Sequence, residues 1–139
     1  MKAHVVNKNE ENITGYQRIE VSGGAADFQS CADNECTDIL ISNSLDSVDL
    51  NGVQGLLTQA RQKLRIGGSL VVGGTDIRLL SRAVVSGAIG GAQANELLYA
   101  KRSCSDVNTI LDLLRSLGLT IISSKVAGLH YEIESRREA

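Results

Sequence analysis

Few residues in this chain are of the kind that do chemistry, and their spacing decides what each can do. Three cysteines (Cys31, Cys36, Cys104) and two histidines (His4, His130) could ligate zinc or pair as thiolate and imidazole. No C-x-x-C pair occurs and the residues are spread over separate parts of the chain. Neither a metal centre nor a nucleophilic Cys–His pair is expected, and no catalytic residue is assigned. Gly87, Gly90 and Gly91 in AVVSGAIGGAQANELL suggest a dinucleotide turn. Counting from Gly87, however, the second glycine falls on Ile89 and the third on Ala92, and no acid follows at the right distance, so a loop is expected. Asp46 and Asp49 read as loop and helix-cap residues rather than an acid/base dyad. Ser42 and Asn43 end an apolar strand at what must be the carboxyl edge of a sheet, where open α/β folds bind ligands. They are the first candidates to line a pocket. Glu20 ends another strand, and by its own pattern is a surface carboxylate.

Periodicity gives the elements that must position these groups. Residues 3–6 (AHVV) and 16–21 read as strands, and 25–37 as a loop over the sheet edge. Residues 38–42 (DILIS) form an apolar run of the kind buried on both faces. Apolar residues then recur at Leu50, Val53, Leu57, Ala60 and Leu64, a helical spacing with Asp49 placed as its cap. Next comes the stretch LRIGGSLVVGGTD: a glycine turn at Gly67 and Gly68, a short strand over 70–72, a second turn at Gly73 and Gly74, and Asp76 opening a helix over 77–85. A loop over 86–91 leads to an ambiguous segment, 93–101. Ser103 with Asp106 resembles a capping box before a helix that carries Val107, Ile110, Leu111, Leu114 and Leu117 and stops at Gly118. Residues 119–124 and 129–134 form a terminal hairpin, and the tail SRREA is solvated.

The chain of 139 residues is long enough for one domain with a real core. Its net charge of −2 supplies no basic footprint, and with no tryptophan, one phenylalanine and three tyrosines it has little on which to stack bases, so nucleic acid is not expected as a partner. No apolar run approaches the ~18 residues of a membrane span, and the odd cysteine count points to a reducing cytoplasm.

Several segments together resemble one family. LLTQARQKLRIGGSLVVGGTDI is similar to the part of class I S-adenosylmethionine-dependent methyltransferases that reads helix, L-K-P-G-G, then a strand ending V-P-D. CADNECTD resembles the turn F-x-D-N-S-x-D before the family's fourth strand, and ILISNSLDSVDL resembles the strand and loop that follow. MKAHVVNKNEENITGYQRIEV resembles a compact family opening, L-N-L-G-C-G and then G-Y-x-N-x-D. The resemblance implies a single α/β domain over 1–139. It would have a Rossmann-like methyltransferase fold, a mainly parallel sheet and a C-terminal antiparallel hairpin, shortened between the second and fourth strands. It implies S-adenosylmethionine as cofactor, with Glu20 at the ribose hydroxyls and Asp27 and Phe28 flanking the adenine. The departures fall where the cofactor would sit. The family's first strand enters a glycine-rich turn, so that the methionine moiety can approach bare backbone, and here those positions are Val6, Asn7 and Lys8. The prolines of the two motifs are Ile66 and Gly74. The expectation is a methyltransferase-like protein with lost or weakened cofactor binding, serving as a binding or scaffold module. An active transferase of unknown acceptor and an unrelated nucleotide- or protein-binding module are the alternatives. A shortened domain also leaves a sheet face or edge to cover, which favours a homo-oligomer or a partner protein.

Overall fold

The computed structural model describes residues 1–139. Alternation and apolar runs produce strands β1 (Lys2–Val6), β2 (Gln17–Glu20) and β3 (Cys36–Ile41). A single 3-10 turn at Leu45–Ser47 leads into helix α1 (Leu50–Lys63) and strand β4 (Leu64–Thr75). Helices α2 (Ile77–Ser86), α3 (Gly91–Tyr99) and α4 (Val107–Ser116) follow, and strands β5 (Leu119–Ala127) and β6 (His130–Arg137) close the chain. The six strands form one sheet in the order β2-β1-β3-β4-β6-β5. The first three ladders are parallel and the two involving β6 are antiparallel, as expected. No strand lies outside β2, so the sheet ends there. No helix is long and apolar enough to cross a membrane.

One face of the sheet carries the core. Ile39, Ile41, Leu70, Val72 and Ile133 are fully buried there in one cluster with Val53, Leu56, Leu57 and Ala60 of α1 and with Ile110 and Leu114 of α4. Register places Asp38 beside Ser69, and Val71 beside Glu134, on the opposite face. That face is covered only in part: His4 and Val6 of β1 are buried on it, while Asp38, Leu40, Ser69 and Val71 are half-buried. The 38–42 run is therefore not enclosed on both faces, as its apolar pattern predicts.

Helix α1 contains Gly52 and Gly55, each of which weakens a helix by roughly 1 kcal/mol relative to alanine. Its four buried side chains outweigh that, at roughly 1.5–3 kcal/mol for each Val or Leu. A methyl group at Gly55 would meet nothing within 4 Å. Gly55→Ala is therefore expected to raise stability by about 0.5–1 kcal/mol. Urea unfolding followed by circular dichroism checks this, and a lowered midpoint would contradict it.

Four local expectations need correction. Residues 64–75 form one strand, not a short strand between two glycine turns. The turn at Gly67 and Gly68 survives as an irregularity inside β4, where pairing jumps from Cys36–Leu64 to Asp38–Ser69. Gly73 sits within the strand because a side chain there would lie 2.7 Å from the Ser42 carbonyl and 2.9 Å from that of Tyr131. Asp49 stands at the N-terminus of α1 without capping it, its Oδ1 being held 3.1 Å from the Arg102 guanidinium. The cap of α4 is Asp106, whose carboxylate accepts from Thr109 N–H at 2.8 Å, rather than Ser103. That hydrogen bond holds the Asp106 carboxyl below its usual range. Lastly, the end of the chain is not simply solvated. Ser135 is fully buried, and Arg137 donates to the carbonyls of Arg61 (3.2 Å) and Leu64 (2.6 Å), closing the C-terminal end of α1.

Candidate functional site

Parallel strands deliver their following loops to one edge of the sheet, and ligands of open α/β folds bind there. The loop after β1 folds on itself. Glu10 N–H donates to Asn7 C=O at 3.0 Å, and the Glu10 carboxylate accepts from Asn7 N–H at 3.3 Å. Arg18 on β2 donates to the carbonyls of Asn7, Lys8 and Glu10, so one guanidinium clasps the whole turn. Lys8 itself is exposed. After β2, residues 22–25 make a tight turn with both bonds between Ser22 and Ala25 formed. Gly23 and Gly24 stand at φ 60° and 81°, the left-handed pair this turn requires. Gly24 C=O accepts from Asp49 N–H at 2.8 Å, and a side chain at Gly24 would collide with the Asp49 carboxylate. After β3, Asn43 reaches the Glu10 carboxylate at 3.5 Å, and buried Ser44 donates to Val5 C=O at 2.8 Å. The three loops are thus tied to one another, and none of the three hollows in the molecule is lined by residues 7–10 or 42–44.

The largest hollow lies elsewhere, beside α1. It measures about 710 Å³ and is bounded by Glu20, Asp27, Phe28, Gln59, Gln62 and Lys63 among others. A second hollow of about 200 Å³ shares Ala25, Ala26 and Gln59 with it and extends it past Gly52 and Gly55. Of the five residues singled out in the sequence, Glu20, Asp27 and Phe28 meet at this trough, whereas Ser42 and Asn43 lie apart at the end of β3. Phe28 is fully enclosed in the core. Asp27 accepts from Gln29 N–H at 2.9 Å, and Glu20 faces Arg18 at 3.4 Å. Lys63 is paired with Asp33 at 2.8 Å, a hydrogen bond that raises its pKa. The residues that sequence reasoning missed are Gln59 and Gln62. Their signal was the recurrence Gly52, Gly55, Gln59, Gln62, one face of a helix with no apolar side chain on it.

Other reactive groups are muted. Burial pushes the Cys36 thiol up to about 12, with Cys31 adding to the effect, and pushes Cys104 up to about 11. Neither supplies thiolate at neutral pH. His4 is buried against Asn12 at 3.2 Å. The Tyr131 hydroxyl is buried without a partner, and desolvation raises its pKa. No group of three or more metal-ligating side chains comes together.

No family model matches this chain, and no curated protein does. Solved structures do. An S-adenosylmethionine-dependent methyltransferase from Mesorhizobium loti superposes with a TM-score of 0.62 at 14% identity, over 91% of this chain and 72% of its own. One from Thermotoga maritima gives 0.60 at 15%, over 88% and 65%. One from Archaeoglobus fulgidus gives 0.55 at 12%, over 78% of this chain and 62% of that one. This chain therefore spans less than the whole of the structures it matches. The likeness is one of architecture, and the chain has the Rossmann-like fold of the class I methyltransferases.

Proposed function

We propose that this chain is a methyltransferase-fold binding module whose affinity for S-adenosylmethionine is lost or strongly weakened. One observation carries the reading: the turn after β1 is shut by Arg18 and Glu10. A cofactor lying at the ends of β1 and β3 needs bare backbone amides and open space. Here the Asn7 amide is already taken by a carboxylate, and no hollow in the molecule is lined by residues 7–10 or 42–44. The residues present do not fit that group. Opening the turn would break several hydrogen bonds to charged groups, worth about 0.5–1.5 kcal/mol each at this solvent-reached position. Each 1.4 kcal/mol so lost weakens binding about tenfold. Calorimetric titration with S-adenosylmethionine to about 1 mM is expected to give no saturable heat, and a dissociation constant in the micromolar range would overturn the reading.

The trough favours a second reading, an active transferase that holds the cofactor between Glu20 and Asp27. Methyl transfer needs chiefly orientation of donor and acceptor, so the lack of an evident base does not weigh against it. Under that reading Glu20→Ala lowers cofactor affinity. An unchanged affinity removes it.

A further inference from the structure

We infer that the trough between α1 and residues 25–29 binds an extended peptide segment of a partner protein, with a lysine or arginine of that segment set against Asp27. Three features of the walls point to a peptide. On one side, α1 presents Gly55, where a side chain would meet nothing within 4 Å, with Gly52 packed against Val48 before it and Gln59 and Gln62 after it. On the other side, the backbone N–H and C=O groups of Ala26 and Asp27 take part in none of the chain's backbone hydrogen bonds. Their neighbours do: Ala25 pairs with Ser22, and Phe28 C=O accepts from Cys31 N–H. Between the walls, the side-chain amides of Gln29, Gln59 and Gln62 have no partner in the chain. An amide offers a donor and an acceptor together, and a peptide backbone presents the same pair at every residue.

Length and charge agree with this occupant. From Gly52 to Gln62 the helix rises about 15 Å, the span of four or five extended residues. Lys63 is neutralised by Asp33 and Glu20 faces Arg18, so Asp27 is the carboxylate left to pair with a cation. A nucleoside is the poorer fit, because the only aromatic residue at the trough, Phe28, is enclosed and offers no face for stacking. The proposal names the ligand class of the binding module described above but does not depend on the cofactor turn being shut. The two ideas can therefore fail separately, one by calorimetry with S-adenosylmethionine and the other by the experiment below.

The test is to pan a phage-displayed random heptapeptide library on the whole chain, synthesise the most enriched peptide, and titrate it into ¹⁵N-labelled protein. Expected are enriched sequences carrying a lysine or arginine, with amide shifts confined to residues 25–29 and 52–63. Affinity should fall about tenfold or more in Asp27→Asn and in Gly55→Leu. The added leucine points into open space, and a thermal melt confirms that the variant is folded. No enrichment, shifts mapping elsewhere, or full affinity in folded Gly55→Leu would overturn the proposal. So would adenosine shifting these amides where the peptide does not, which would assign the trough to nucleosides.

Discussion

Replacing Asp76 with alanine is expected to cost the fold about 3–5 kcal/mol, from the loss of a charged acceptor that leaves three backbone donors without a partner. Asp76 is 2% exposed. Its Oδ1 accepts from Arg78 N–H at 2.8 Å and from Leu79 N–H at 3.0 Å, capping α2. Its Oδ2 accepts from Val107 N–H at 2.9 Å, in the first turn of α4. One carboxylate therefore lies against the positive ends of two helices, where a negative charge is stabilised by both. Its own N–H donates to Leu129 C=O at 2.8 Å, which fixes the backbone and so the aim of the side chain. A loss of this size is a large share of the 5–15 kcal/mol that holds a typical domain. Asp76→Asn should lose less, since it keeps one acceptor while turning an N–H₂ on the donors opposite. Urea unfolding of both variants checks the order, and a loss below about 1 kcal/mol for alanine would show that the two helix ends are not held by this group.

Phe28→Ala is expected to destabilise the fold by about 3–4 kcal/mol, as removal of a fully enclosed aromatic ring does elsewhere. The ring is 0% exposed and belongs to the main cluster of 23 buried residues. It anchors the returning segment against the sheet and so holds the floor of the trough. Phe28→Leu should cost about 1–1.5 kcal/mol, since it keeps most of the apolar volume. A residue that stacked on a ligand would behave differently, losing affinity while stability stayed level. Equilibrium unfolding of the two variants separates these roles, and an alanine variant as stable as the parent would remove Phe28 from the core.

Much of the architecture was legible in the sequence because its signals are local. Apolar runs and alternation marked the strands, and the spacing from Leu50 to Ala60 marked α1. The glycines misled because a glycine answers two different demands. At Gly67 it accommodates an irregular strand. At Gly73 it makes room for the carbonyls of Ser42 and Tyr131, which no local pattern announces. The candidate site was legible in part. Glu20 and Asp27 do border one trough, but Gln59 and Gln62 of α1 complete it, and only the packing of α1 beside residues 25–29 brings them there.

By itself, then, the sequence determined the order of most elements, the terminal hairpin, and the absence of glycine after the first strand. These follow from short-range periodicity and residue type, whereas the mainly parallel pairing was implied by the family resemblance. Tertiary structure decided what each charged side chain does. Asp49 and Asp76 both precede helices and look equivalent in sequence. Yet Asp49 is drawn to Arg102, 53 residues away, while Asp76 caps its own helix and a second one 31 residues on. Arg137 leaves solvent for the Leu64 carbonyl 73 residues back. A charged side chain goes to whichever partner the fold brings within reach, and partners that far apart leave no trace in local sequence.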